Sequence, residues 1–330
     1  MILICYGTRP EWIKVSPIID ELNKRKIPHK TLFTGQHKDI VSNLADFNLK
    51  IDDGVCKNRL NNIVSNLMNI PEDVFENIKY VMIQGDTTSV LSLAINAFHR
   101  KIKIIHIEAG LRTYDFNNPY PEEMNRQLVS RITDIHLCPT QNNLDSLVRE
   151  NCSGLKYVVG NTALDNLINI KTEYTDTVLI TLHRRENHDI IEKWFKNLTI
   201  LASRNRNLKF ILPMHPNPNV KKHQNLLKYI EVVDPLSHNE LIEKLSKCKV
   251  VITDSGGIQE ESSFLNKRTI ICRTTTERPE SIGLQGSLCK NPDDLFDLFE
   301  FVKNNYNINF KCPYGDGKSS EKIVNILYEL

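Results

Sequence analysis

VVITDSGGIQEES, residues 250–262, reads as a buried strand, a turn on paired glycines and a helix. Val250, Val251, Ile252 and Thr253 are β-branched and almost wholly apolar, the composition of a parallel strand covered on both faces. Ser255-Gly256-Gly257 then turns the chain, and Ile258 opens a helix with Glu260 and Glu261 expected in its first turn, where they complement the helix dipole. Such a turn aims unpaired backbone N–H groups and the positive helix end at one point, which suits a phosphate. A plain capped helix start uses the same residue types. Glycine argues for the ligand, because it lets an anion touch bare backbone, whereas a cap needs only one Ser or Asp.

The same strand-then-helix unit recurs outward from this stretch. MILICY precedes WIKVSPIIDELNKR, YVMIQG precedes TSVLSLAINAFHR, KIIHIEAG follows, DIHLCP precedes QNNLDSLVREN, and KYVVG precedes TALDNLINI. After the polar stretch KTEYTDT the rhythm restarts with VLITL, EKWFKNLTILASRN, KFILPMH, NELIEKLSKC, VVITD, TIICR and the closing helix SEKIVNILYEL. This alternation predicts an α/β chain of two doubly wound, Rossmann-like domains, residues 1–171 and 172–315. The length of 330 residues, more than one core usually supports, agrees.

Composition narrows the function. Net charge is +2, from 42 Lys and Arg against 40 Asp and Glu, without a basic block, so nucleic acid is not an expected partner. The eight cysteines lack a CxxC pair or a close Cys/His group, and are expected to be reduced thiols of a cytoplasmic protein, with no metal site. No apolar stretch of membrane-spanning length and no basic leader is present, so neither a membrane span nor a signal peptide is expected. Cofactor motifs are missing too. There is no GxGxxG, Cys312 stands where a Walker A loop ending in Gly317-Lys318-Ser319 would need glycine, and Tyr314 to Lys318 spans two glycines and is no helical Tyr-x-x-x-Lys pair. No cofactor is expected.

In open parallel sheets, ligands bind beyond the carboxyl ends of the strands. Gly7-Thr8-Arg9, Gly35-Gln36-His37, Gly85-Asp86, Glu108-Ala109-Gly110, His183-Arg184-Arg185-Glu186, His215 and Ser255-Gly256-Gly257 all fall there. Two sheets presenting such ends to each other would form an interdomain cleft for a polar, anionic ligand. Asp86 fits either a helix N-cap or a side chain facing the cleft. Glu108 ends an apolar run with no helix to cap, which favours a catalytic role. Glu122 and Arg126 stand four apart, the spacing of a surface ion pair as much as of a functional one. His183 beside two arginines suits polarisation towards phosphate or sugar hydroxyls, and His215 sits in a turn between Pro213 and Pro216.

Taken in order, GTRPEWIK, TGQH, GDTTS, IEAGLRT, YPEEMNR, GNTALD, LHRREN, HPNPNV, TDSGGIQEES, TTTERPE and CPYGDGK resemble the non-hydrolysing UDP-N-acetylglucosamine 2-epimerases across essentially the whole chain. The resemblance implies the glycosyltransferase-B architecture, with the last helix, residues 316–330, returning to the first domain, and a homodimer. It implies that Ser255, Gly256 and Gly257 cradle the UDP diphosphate, that Glu261 binds the ribose diol, and that Arg9, Lys14, His215 and Arg278 lie on the nucleotide-sugar. Asp86, Glu108, Glu122, Arg126 and His183 match the catalytic set. Three departures stand out: the Val55–Asn69 loop lacks the glutamine-containing pattern of an activator site, Leu241 replaces an aromatic uracil neighbour, and the chain is shorter than typical members. Inverting C2 requires breaking a C–H bond that no carbonyl acidifies. The route left without a nicotinamide expels UDP from C1 while a carboxylate removes H2, and then re-adds UDP to 2-acetamidoglucal with a proton delivered to the opposite face. A 2-epimerase of another UDP-N-acetyl sugar, such as a 6-deoxy sugar, and a retaining glycosyltransferase of the same architecture are the alternatives.

Overall fold

Ile2–Tyr6 forms β1 with all five residues buried, as an interior strand of a parallel sheet requires. The computed structural model describes residues 1–36, 45–52, 54 and 56–329. Within them the chain divides into two units, Met1–Asn166 with Gly315–Leu330, and Leu167–Tyr314. In the first unit β1 is followed by α1 (Arg9–Lys24), β2 (His29–Phe33), β3 (Phe47–Asn48), α2 (Arg59–Met68), β4 (Tyr80–Gln84), α3 (Thr88–His99), β5 (Lys103–Ile107), α4 (Glu122–Ile132), β6 (Ile135–Cys138), α5 (Gln141–Arg149) and β7 (Leu155–Val158). The second unit holds β8 (Thr177–Thr181), α6 (Ile191–Arg204), β9 (Lys209–Pro213), α7 (Pro218–Lys221), β10 (Glu231–Val233), α8 (His238–Lys247), β11 (Val250–Thr253), α9 (Gly256–Phe264), β12 (Arg268–Ile271), β13 (Gly286–Leu288) and α10 (Leu295–Asn304). The last helix, α11 (Ser319–Tyr328), belongs to the first unit.

The sheets run β3-β2-β1-β4-β5-β6-β7 and β10-β9-β8-β11-β12-β13, and every described pairing is parallel. Each order reverses once, between β1 and β4 and between β8 and β11. A crevice opens at such a reversal, beyond the carboxyl ends of the strands. Apolar side chains fill both faces of the first sheet, around Leu3, Val81 and Leu93 on one and Ile4, Ile18 and Ile323 on the other. The second unit packs Trp194, Phe195, Phe210 and Phe299 into one cluster.

Three local features differ from the sequence reading. α9 begins at Gly256, so Glu260 and Glu261 lie beyond its first turn, which holds no acidic residue. They therefore do not serve as first-turn dipole partners; both are buried and paired instead. TALDNLINI yields a short 3-10 helix, Thr162–Leu167, in place of an α-helix. Within it the Asp165 carboxylate accepts from the N–H groups of Ser319 and Ser320 at 2.9 and 2.6 Å and from the Ser320 hydroxyl at 2.5 Å. Since Lys318 at the N-cap of α11 makes no side-chain cap bond, Asp165 supplies the acceptor that the helix start lacks. The third is a set of unexpected elements: β2, β3, β10, β13, α2, α7 and α10. Of the Val55–Asn69 stretch, Val55 lies outside the described residues, as does His37.

Candidate active site

At the reversal of the first sheet, three strand ends bring their side chains together. Thr8 caps α1, and Glu11 completes the capping box by turning back to accept from the N–H groups of Gly7 and Thr8 at 2.6 and 3.1 Å. The Thr87 hydroxyl, which caps α3, donates to the other Glu11 oxygen at 2.9 Å. One buried carboxylate thus ties the turn after β1 to the turn after β4. Burial pushes the Glu11 carboxyl up to about 7, against the pull of those donors.

Glu108 follows β5 in the left-handed region, at φ 64°, where a side chain other than glycine's costs on the order of 1–3 kcal/mol. Its carboxylate accepts from Lys14 of α1 at 2.5 Å and from the amide of Gln84, the last residue of β4. Strand, loop and helix therefore all aim at one oxygen. Asp86 does not cap α3, because Thr87 holds that position. The Asp86 carboxylate instead meets Arg126 of α4 at 2.8 Å from Nε and 2.6 Å from the nearest terminal nitrogen. Arg126 also contacts Glu123 at 3.3 Å, and Glu123, fully buried, accepts from the N–H groups of Thr113 and Tyr114 at 2.9 and 3.1 Å. The glutamate pair in YPEEMNR is thus divided: Glu123 braces the loop before α4, and Glu122 opens the helix. Arg9, at the first position of α1, is exposed.

The second unit assembles its candidate residues at its own reversal. Asp254, fully buried, follows β11; its carboxylate accepts from His183 N–H at 3.0 Å, Arg184 N–H at 2.9 Å and the Asn187 amide at 3.0 Å. The His183 ring lies parallel to that of His215, with centroids 4.8 Å apart and an interplanar angle of 8°. Burial pulls the His183 imidazole below its usual value, Asp254 works against that, and His215, Arg184 and His188 add to it. Ser255 makes no side-chain cap bond at the start of α9, so the first amides of the helix receive no cap from it. A Cβ on Gly257 would meet nothing within 4 Å, whereas one on Gly256 would lie 2.5 Å from a terminal nitrogen of Arg278. Arg278 is fixed there by Glu260 at 2.9 Å and by Glu277, which also meets Arg273 at 2.8 Å; Arg273 in turn reaches Glu186 at 2.6 Å. Glu261 accepts from His238 Nε2 at 2.8 Å, and Leu241 lies half-buried on α8.

These sites share one arrangement on two separate sheets. The second couples an uncapped glycine turn to arginine and histidine, as an anion site needs. The first couples carboxylates to lysine and arginine, as proton transfer needs. Among the described residues no group of three or more His, Cys, Asp or Glu is placed to hold a metal ion.

The family model described as UDP-N-acetylglucosamine 2-epimerase matches residues 20–328. This chain belongs to the UDP-N-acetylglucosamine 2-epimerase family. The Campylobacter jejuni protein named UDP-N-acetylglucosamine 2-epimerase is 34% identical over 378 residues, covering 99% of this chain and 97% of its own. A crystal structure of the Neisseria meningitidis UDP-GlcNAc 2-epimerase bound to UDP-GlcNAc superposes with a TM-score of 0.89 at 32% identity, over 100% of both chains. Acinetobacter baumannii MurG matches with a TM-score of 0.54 at 10% identity, a likeness of fold alone, that of the glycosyltransferase-B type.

Sequence motifs located the residues of this family member but not their partners. Gln84, Glu11, Glu123 and Asp254 were not singled out. Asp254 had a legible signal, an acid directly after a buried strand and directly before the glycine turn. The others look like ordinary helix-start or strand-end polar residues until the fold brings their partners to them.

Proposed function

We propose that this chain interconverts UDP-GlcNAc and UDP-ManNAc by anti elimination of UDP to 2-acetamidoglucal and re-addition on the other face. The observation that carries the reading is Glu108, held by Lys14 and Gln84 in a left-handed conformation at a strand end. A carboxylate fixed at such local cost suits the removal or return of the C2 proton. Asp86, paired with Arg126, and Glu122 at the start of α4 complete the proton-transfer set on the first unit. Lys14 keeps Glu108 from standing as an unpaired charge in a poorly hydrated place.

On the second unit, Ser255, Gly256 and Gly257 take the diphosphate, the glycines through their amides and Ser255, whose own N–H donates to the Thr253 hydroxyl at 3.0 Å, through its hydroxyl, and Arg278, His183 and His215 stabilise the charge that grows on it as the C1–O bond breaks. Glu261, oriented by His238, takes the ribose diol, Leu241 neighbours the uracil, and exposed Arg9 reaches the nucleotide-sugar. The chain acts as a homodimer in the cytoplasm. Tyr114, Phe116, Tyr120, Met124 and Leu128 support the first part, being exposed apolar residues within one short stretch, and eight free cysteines support the second. Incubation of the purified protein with UDP-GlcNAc, followed by proton NMR of the anomeric region, tests the reading. New UDP-ManNAc signals without added nicotinamide or metal are expected; an unchanged spectrum would overturn it.

A further inference from the structure

Asp254 lies where the two halves of the second sheet part, between the strand end that bears His183 and the glycine turn that opens α9. Its side chain is fully buried, and among the described residues no Lys or Arg side chain comes within hydrogen-bond reach of it. Three donors hold it, and each belongs to the segment that carries His183. Two are the backbone N–H groups of His183 and Arg184, and the third is the amide of Asn187. Asn187 is itself locked, donating to the Cys272 carbonyl at 2.9 Å and accepting from the Trp194 indole at 3.2 Å. Such a carboxylate cannot shift without moving His183.

The carboxylate also faces the ring. Its Oδ1 lies 3.7 Å from His183 Nδ1, and the parallel His215 ring covers the imidazole. The charged or titratable groups facing His183 are thus Asp254 from β11's end, His215 from the turn after β9, and Arg184 and His188 from its own segment. Of these only Asp254 is negative. A carboxylate beside Nδ1 favours the proton there and leaves Nε2, on the far side of the ring, as the nitrogen that meets a ligand.

We propose that Asp254 is a positioning residue for the reaction: it fixes the height of His183 through the backbone and its ring tautomer through Nδ1, so that Nε2, unprotonated in the resting ring, takes up a proton from solvent and the imidazolium so formed, its charge balanced by Asp254, donates from Nε2 to the departing diphosphate. The inference rests on the epimerase reading, and two separate readouts keep the two apart. In substrate-free wild-type protein, nitrogen-15 and carbon-13 shifts of the His183 ring are expected to show the neutral form protonated on Nδ1. In Asp254→Asn the ring is expected to take up its proton at lower pH than in wild type, and kcat to fall about 10²-fold with KM nearly unchanged. In a His183→Gln background the same substitution is expected to cost at most about twofold more, as for residues acting through one another. An Nε2-protonated ring in wild type that turns over normally overturns the inference alone. So does a kcat loss from Asp254→Asn that is equally large with His183 present or replaced. If Asp254→Asn fails to fold, the wild-type tautomer decides. A wild-type protein that leaves UDP-GlcNAc unchanged removes the epimerase reading, and the catalytic role of Asp254 with it.

Discussion

On the proposed reading, Glu108 and the glycine pair separate proton transfer from ligand binding at the scale of single residues. Glu108→Gln keeps the size of the side chain and its contacts to Lys14 and Gln84 in part, yet cannot take or return a proton. Its kcat is expected to fall by about 10²–10⁴-fold with UDP affinity nearly unchanged, read by NMR turnover and calorimetry. Glu108→Gln that binds UDP no better than an unfolded control would make Glu108 a structural anchor instead. The glycines differ from each other. A side chain on Gly257 enters open space, so Gly257→Val is expected to leave stability nearly intact and to weaken UDP by at least about tenfold, the loss of one or more amide bonds to a charged group. At Gly256 the added Cβ meets the Arg278 guanidinium first, so Gly256→Val is expected to lower stability as well, by dislodging Arg278 from Glu260 and Glu277. Equal stability of the two variants in urea titrations would refute this difference.

Among elements, what was legible in the sequence follows from how each one is buried. β1, β4, β8 and β11 are apolar on both faces, so their runs stand out, and the parallel two-sheet architecture with them. β3, β10 and β13 are two or three residues long and carry no period to detect. The boundaries at glycine and serine were misplaced because nothing local distinguishes Ser255 as an N-cap without a cap bond. The site divides in the same way. Motif residues stood at predicted strand ends, but Gln84 on Glu108 and Asp254 on His183 are tertiary contacts between segments 24 and 71 residues apart. The 3-10 turn bearing Asp165 reads as a helix in the sequence, since the donors that Asp165 serves lie about 155 residues away, at Ser319 and Ser320. Asp165→Ala removes the acceptor for three donors at the start of α11 and is expected to destabilise the first unit by about 1–2 kcal/mol in chemical denaturation. An unaltered midpoint would show that water replaces it without cost.

For the whole molecule, buried titratable groups fix how stability follows pH. His106 and His136 are held neutral by burial, pulled down to about 4 and about 3 from 6.5, so they contribute stability at neutral pH that is lost as pH falls below 6.5. Glu11 acts in the opposite sense. Burial raises it from 4.5 to about 7, so its contribution is complete below 4.5 and lost as pH rises through 7. Between 4.5 and 6.5 it cancels one of the two histidine protons. Glu11→Gln, which imitates the protonated acid, is expected to steepen the fall of stability in that window by one proton, about 1.4 kcal/mol per pH unit. Denaturant titrations across pH 4.5–6.5 measure it, and parallel curves for variant and wild type would contradict the assignment.

In the proposed elimination, H2 leaves to a side chain that exchanges with solvent. The direct test runs the reaction in D2O with wild-type protein and no added nicotinamide or metal, and follows C2 of the sugar by proton NMR and mass spectrometry. Deuterium at C2 of UDP-ManNAc, with the same label entering the recovered UDP-GlcNAc and both exchanges suppressed in Glu108→Gln, is the predicted result. Conversion with full retention of the substrate's own hydrogen, or exchange undiminished in Glu108→Gln, would contradict proton transfer through this site.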